Sequence, residues 1–366
     1  MRYVRMPIEV ESPEEYGYDA IRYNLSESSI ADQSLSGLGL TVPDLTLLYT
    51  EHRGARGLRA LVVAGAPGLD ADDVLITAGA AGALFIVATA LLTAEDHLVV
   101  VRPNYATNLE TPRAIGCPIG FVDLSFENGF QIDLQAIAAA ITPRTRLISV
   151  TCPHNPTGVI TDEARLRALA DLAAEHGCRL LVDETYGELA YDGALPIAAS
   201  FGPHVISVAS LSKAYGVPGI RIGWLVCRDP ALQTLFLAAK EQIGICGSVV
   251  DEWIAEQVLA RRAALLQPTL AEMRRRLDRV AAWMQGEPLL EWVRPTGGVV
   301  CFPRMTTEPP GGTDGFYRRL LERDGTYVGP GHWFEQPDRY FRLGYGWPTA
   351  EALDGGLEAI SRALRG

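Results

Sequence analysis

Between about Thr50 and residue 230 the chain alternates short, apolar, β-branched runs with stretches whose apolar residues recur at helical spacing. The strand-like runs are Val74 to Thr77, His97 to Arg102, Pro118 to Val122, Leu147 to Thr151, Arg179 to Val182, Val205 to Ala209 and Gly223 to Cys227. Helical patterns lie over Gly82 to Leu92, Leu134 to Ala140 and Glu163 to His176, the last followed by Gly177, a residue suited to ending a helix. Strands apolar on both faces, with helices between them, predict an α/β fold built on a mostly parallel, seven-stranded sheet covered on both sides. Ligands of such sheets collect beyond the carboxyl ends of the strands.

Residues from about 231 to 285, rich in Ala, Leu, Arg and Glu, predict long helices leading to a second domain. There, strand-like pieces at Gly298 to Phe302, Gly325 to Val328 and Tyr340 to Gly344 alternate with helical runs at Thr313 to Arg323 and Thr349 to Leu364. This is the pattern of a smaller α+β domain, punctuated by Pro309-Pro310-Gly311-Gly312 and Gly329-Pro330-Gly331. The expected division is an arm over 1–45, a large domain over 46–265 and a small domain over 266–366. Val74 to Ala94 carries no charge over about the length of a membrane span. Its flanks are acidic and Thr77 and Gly79 interrupt it, so a strand, a glycine turn and a buried helix explain it better.

Composition adds exclusions. The 366 residues are 48% hydrophobic and 21% charged, which is ordinary globular usage. A net charge of −12 and no long basic run argue against nucleic acid or an anionic membrane as partner. The six cysteines (Cys117, Cys152, Cys178, Cys227, Cys246 and Cys301) are scattered through apolar segments and read as buried thiols of a reducing cytoplasm. The acidic start of the chain has no apolar stretch resembling an export signal. Six dispersed histidines suggest no metal site.

Candidate chemistry centres on Ser210-Leu211-Ser212-Lys213-Ala214-Tyr215-Gly216-Val217-Pro218-Gly219-Ile220-Arg221-Ile222-Gly223. Set between two buried strands, Lys213 can form a Schiff base with an aldehyde, and Ser210, Ser212 and Arg221 can hold a phosphate. Asp183, at the end of the Arg179 to Val182 strand, could pair with a protonated ring nitrogen or simply cap a helix. Tyr186 follows three positions on. In Cys152-Pro153-His154-Asn155-Pro156-Thr157-Gly158, Asn155 offers an amide donor, although Asn-Pro alone marks an ordinary turn. Small residues after Thr77 leave the backbone amides of Ala80 and Ala81 available to an anion. Tyr105 could lie flat on an aromatic ring or be an ordinary core tyrosine. Arg342 sits inside an apolar strand and needs an anion, either a substrate carboxylate or an internal ion pair.

Taken together these residues resemble the fold-type I pyridoxal-phosphate enzymes of the class I/II aminotransferase family. The pattern Ser-x-Ser-Lys, Gly-x-x-Gly-x-Arg-x-Gly follows the Asn-Pro-Thr-Gly turn and the Asp-x-x-Tyr strand end in the family's order. The resemblance implies that Lys213 carries the cofactor and shuttles the proton, Asp183 pairs with the pyridine nitrogen, Asn155 and Tyr186 bond the ring oxygen, and Tyr105 stacks on the ring. It implies phosphate binding by Ala80, Ala81, Ser210, Ser212 and Arg221, and carboxylate binding by Arg342 with Asn155. Tyr49 matches the tyrosine that reaches the phosphate of the neighbouring subunit, which implies a homodimer with active sites at the interface. The N-terminal arm would pack on the small domain and the active site.

Where many relatives carry a Gly-Glu-Pro type segment, this chain has Asn24-Leu25-Ser26-Glu27-Ser28-Ser29-Ile30. Glu27, together with Asp32, is a candidate for meeting a polar or cationic substrate side chain, or else is a solvated loop carboxylate. Thr296 to Arg304, with Lys213 to Gly223, is similar to capreomycidine synthase-like biosynthetic members. The implied activity is aminotransferase-type chemistry on an amino acid in specialised metabolism, such as antibiotic biosynthesis. The alternative is elimination and cyclisation, C–S cleavage or oxidative deamination. A dehydrogenase would need a Gly-x-Gly-x-x-Gly turn that the first strand lacks, and a DNA-binding regulator would need a basic segment.

Overall fold

In the computed structural model, which describes residues 1–366, the seven expected runs pair into one sheet. The strands are β1 (Val74–Ala78), β2 (His97–Arg102), β3 (Ile119–Asp123), β4 (Thr145–Thr151), β5 (Arg179–Asp183), β6 (Val205–Ser210) and β7 (Ile222–Cys227). Their spatial order is β1-β7-β6-β5-β4-β2-β3. Only β7 runs against its neighbours β1 and β6, and the remaining pairs are parallel. That single reversal matters. It brings the start of β7, and Arg221 just before it, to the edge where β1, β2, β4, β5 and β6 end.

Both faces are covered, so the strands are apolar throughout rather than alternating. Helix Gly79–Leu91 buries Leu84, Val87 and Ala88 in the same cluster as Leu75, Leu98 and Leu225 of the sheet. Each fully buried side chain of that size contributes about 1.5–3 kcal/mol. The opposite face packs Leu166, Leu169 and Ala173 of helix Glu163–Glu175 against Ile148, Val150 and Leu180. The uncharged stretch from Val74 is thus a strand followed by a buried helix, and no helix of the chain is long and apolar enough to cross a membrane.

Helices Pro230–Gly244, Val249–Leu259 and Arg262–Gln285 lead to a C-terminal layer containing helices Gly312–Glu322 and Ala350–Arg365. Its strands are shorter than the apolar runs predict: Val300–Cys301, Thr326–Tyr327 and Phe341–Gly344. The N-terminal arm is woven into this layer. Tyr23–Asn24 pairs in parallel with Thr326–Tyr327, and Leu25 O accepts from Gly344 N at 2.7 Å. Helix Thr107–Ile115 escaped the periodicity because Thr107, Asn108 and Thr111 are buried polar residues and Pro112 lies inside it. All six cysteines are free, and Cys246 is half-exposed where a buried thiol was expected.

Candidate active site

One cavity opens at the carboxyl edge of the sheet, beneath the N-terminal arm. Strand β6 delivers Ser210 there, and the turn after it carries Ser212 and Lys213. Lys213 Nζ donates to Ser28 Oγ at 3.1 Å. Burial pushes the amine below its ordinary pKa, and the Glu27 carboxylate pulls it partly back. A depressed amine is more often neutral and nucleophilic.

On the adjacent strand, Asp183 ends β5 with only 4% of its surface exposed. Its Oδ1 accepts from Thr185 N at 3.1 Å and Thr185 Oγ1 at 2.6 Å. Burial raises its pKa, opposed by Thr185, by Asn108 and by the charge of Lys213. A carboxylate held this dry is stabilised by a cation brought against its second oxygen, which is the chemistry of a pyridinium partner. Helix capping, the alternative reading, is not its role, because the chain continues into a turn and a short 3-10 helix at Gly187–Leu189.

The loops flanking Asp183 are tied together by a buried histidine. His154 Nε2 donates to the Pro103 carbonyl at 2.9 Å, and Nδ1 accepts from Thr157 Oγ1 at 2.8 Å. Burial lowers its pKa to about 4, so it stays neutral and fixes the loop of Tyr105 against the loop of Asn155. Tyr105 and Asn155 both line the cavity. Asn155 Oδ1 accepts from Arg342 Nη1 at 3.3 Å, which leaves its Nδ2 as the donor for a ring oxygen. Tyr186 also lines the cavity, but its hydroxyl donates to the Ser28 carbonyl at 2.9 Å. Bonding a ring oxygen therefore requires that hydrogen bond to be exchanged.

A candidate anion cradle lies at the other end. Helix Gly79–Leu91 starts three residues earlier than its hydrophobic pattern predicts, so Ala80 and Ala81, which line the cavity, are in its first turn, where backbone amides lack intrahelical partners. Ser210, Ser212 and Arg221 line the same wall. Arg221 adopts a left-handed conformation (φ 49°), and its guanidinium packs over Gly79 with Nη1 donating to the Pro218 carbonyl at 2.9 Å. A non-glycine residue held there is backbone strain retained at a ligand site.

Arg342 is 4% exposed and has no carboxylate within ion-pair distance. Nη2 donates to the Ser26 carbonyl at 2.7 Å, Nη1 reaches Asn155, and Nε has no partner. Of the two expectations for this residue, the internal ion pair is excluded. A buried guanidinium left uncompensated calls for an anionic ligand. With Lys213, Asp183 and the anion cradle on the same walls, these residues fit pyridoxal phosphate and a substrate carboxylate.

Glu27 lines the cavity and accepts from Tyr18 Oη at 3.2 Å. Asp32 does not line it; its Oδ2 accepts from Trp347 Nε1 at 2.9 Å. The expectation that Asp32 meets substrate is corrected, because the arm turns that carboxylate away to brace an indole. Tyr49 lies outside the cavity and is 77% exposed, beside exposed Leu47 and Leu48. Sequence reasoning missed Ser26, Ser28 and His154, which reach Arg342, Lys213 and Pro103 far along the chain, and Thr185, which contacts Asp183 two residues before it. It also missed Glu9, Ser12 and Glu14 of the N-terminal segment, which line the cavity. The polar run Asn24 to Ser29 was the available signal for the serines.

Comparison with known proteins shows the family of the chain. The aminotransferase class I and II family matches residues 59–360. The chain is 35% identical over 314 residues to capreomycidine synthase of Streptomyces vinaceus, covering 85% of this chain and 79% of that protein. It is 34% identical over 302 residues to an arginine–pyruvate transaminase of Pseudomonas aeruginosa, covering 78% and 74%. Among solved structures, a PLP-dependent aminotransferase from Streptococcus suis superposes with a TM-score of 0.91 at 28% identity, covering 100% of this chain and 98% of that one. The PLP-dependent cyclase OrfR gives a TM-score of 0.88 at 29% identity, again covering 100% and 98%.

Proposed function

Because the chain belongs to the class I and II aminotransferase family, and so is a pyridoxal-phosphate-dependent enzyme acting on an amino acid, we propose that it performs aminotransferase-type chemistry with Lys213 as the reacting amine. The observation that carries this reading is the uncompensated Arg342 guanidinium on the same cavity as Lys213 and Asp183. Bound there, the cofactor supplies an aldehyde for the amine and a ring that accepts electrons released at the substrate Cα.

The protein's own residues do the rest. Amides of Ala80 and Ala81, with Ser210, Ser212 and Arg221, would hold the phosphate. Asp183 would keep the ring nitrogen protonated, Asn155 Nδ2 would donate to the ring oxygen, and Tyr105 would pack on the ring. Arg342 fixes the substrate carboxylate and so turns Cα toward Lys213, whose Nζ takes and returns the Cα proton. The buried walls exclude water that would compete for that proton.

A second reading, elimination and cyclisation without a keto-acid acceptor, is favoured by the similarity to capreomycidine synthase and to the cyclase OrfR. Those relatives also support a place in specialised metabolism such as antibiotic biosynthesis. Mass spectrometry of products from an amino-acid panel, with and without keto acid and oxygen, separates the readings. Acceptor-dependent turnover supports amino transfer, whereas an acceptor-independent product that has lost a leaving group, either cyclised with its α-nitrogen kept or released as keto acid and ammonia, supports elimination. Borohydride should fix the cofactor to Lys213 and leave Lys213→Ala unlabelled; labelling elsewhere refutes both readings.

We also propose a homodimer. Leu47, Leu48 and Tyr49 are exposed, and His52 ties this segment to the helix ending at Gly244 through its 2.6 Å contact with Glu241, near exposed Ile243 and Ile245. Such an apolar surface supports a partner copy over which Tyr49 would reach. The division into an arm over 1–45, a large domain over 46–265 and a small domain over 266–366 belongs to the same reading, as does a cytoplasmic location.

A further inference from the structure

Glu14 and Glu27 both line the cavity and both accept from one hydroxyl, Tyr18 Oη, each at 3.2 Å. A hydroxyl carries one proton, so it serves two carboxylates poorly. No Lys, Arg or His pairs with either acid; the nearby Arg5 is spent on Glu15 at 2.9 Å. Two like charges so placed repel, and the arrangement gains stability when a cation enters. Burial raises the pKa of Glu27, the charges of Lys213 and Arg342 oppose that rise, and the Glu14 charge adds to it.

The fold commits several contacts to holding these acids in place. Glu14 sits on helix Pro13–Tyr16, and the residues before it are anchored by Glu11, whose Oε2 accepts from Trp333 Nε1 at 2.7 Å and His332 Nε2 at 2.8 Å. The Tyr18 ring stacks on Trp347 at 6.1 Å with the planes 18° apart, and Asp32 pins that indole. A second observation concerns a different side chain of the cavity. Arg342, 96% buried, presents an uncompensated guanidinium with an unpartnered Nε on the same cavity. One cavity therefore carries both a guanidinium for an anion and two carboxylates for a cation.

We propose that Glu14 and Glu27 form a two-carboxylate seat for the positively charged end of the substrate side chain, so that the enzyme selects long cationic amino acids. Guanidinium fits best, because two carboxylates match its fork of donors. The proposal rests on the reading that an α-amino acid binds at Lys213 with its carboxylate on Arg342.

The experiment uses the cofactor-loaded enzyme and two probes of nearly equal shape, arginine with its cationic guanidinium and citrulline with its neutral urea. Both kcat/KM and equilibrium binding, read from the cofactor absorbance, are measured for the native protein, Glu14→Gln, Glu27→Gln and Tyr18→Phe. Native protein should prefer arginine by at least about tenfold, the scale of one charge-assisted hydrogen bond. Each Gln variant should lower the arginine-to-citrulline ratio by about tenfold, mostly through KM, and the ratio should shrink as salt rises. Equal use of the two probes by native protein overturns the proposal. So does a ratio unmoved in both Gln variants while circular dichroism shows them folded. Should a variant fail to fold, the native ratio and its salt dependence decide alone. Failure of the underlying reading looks different: no borohydride-fixed cofactor on Lys213 and no turnover of either probe, which overturns both.

Discussion

Gly223 is the residue whose enlargement tests how the anion cradle is built. It begins the run of β7 that faces both β6 and the start of helix Gly79–Leu91. A methyl group added there would stand 2.5 Å from Ala80 N and 2.8 Å from Ala209 O, and as close to the Gly79 carbonyl carbon. Ordinary contact begins at 3.4 Å, and all three obstacles are backbone, so the strand and the helix start must part by most of an ångström. Overpacking of this kind costs about 1–3 kcal/mol of stability. It also moves the amide of Ala80, so Gly223→Ala should weaken cofactor affinity by about tenfold or more, on the scale of 1–2 lost kcal/mol at one charge-assisted contact. Gly219→Ala is the control, since nothing lies within 4 Å of a methyl group at that position. Urea denaturation of the cofactor-free protein reads the stability, and cofactor titration by absorbance reads the affinity. Equal behaviour of the two variants in both assays would refute the assignment of the helix start as the phosphate site.

Two further outcomes follow from the same geometry. Arg342→Lys keeps the charge but loses the fork held by Ser26 and Asn155, so kcat/KM for any amino-acid substrate should fall by about 10–100-fold, chiefly through KM; an unchanged KM would show that the carboxylate binds elsewhere. His332, whose pKa is raised to about 9 chiefly by its hydrogen bond to Asp338 and also by Glu11, stabilises the docked N-terminal segment fully below its ordinary value near 6.5, and that contribution is lost as pH rises through about 9. Limited proteolysis between Met1 and Tyr18 should therefore accelerate from pH 7 to pH 10, and His332→Gln should abolish the acceleration; cleavage independent of pH in the native protein would remove the role of His332 as the anchor.

The sheet was legible because its strands are buried on both faces. Continuous β-branched runs bounded by turn residues leave little freedom, and β2 and helix Leu134–Ala140 fall at the residues the periodicity marks. Legibility failed where burial is carried by polar groups. Helix Thr107–Ile115 hides three buried polar side chains, and Thr326–Tyr327 reduces to two residues whose strand partner is the distant arm at Tyr23–Asn24. Chemistry behaved in the same way. Lys213, Asp183, Asn155 and Arg221 stand out because an amine, an acid and an arginine beside strand ends and glycines have few structural uses. Ser26, Ser28 and Thr185 do not stand out, since a serine or threonine acquires meaning only from the atom facing it.

The order of residues alone determined the alternation of strands and helices, and with it the edge where the cavity opens and the lysine that lines it. Tertiary structure decided what distance along the chain conceals. It left Arg342 without a carboxylate, turned Asp32 toward Trp347, and laid Glu14 beside Glu27 from a segment thirteen residues earlier. It also separated Gly223, which backbone crowds, from Gly219, which nothing touches, although both stand in the same motif. The physical reason is common to all of these. Local periodicity fixes which face of an element is buried, whereas the charge balance and clearance at a side chain depend on atoms that only folding brings near.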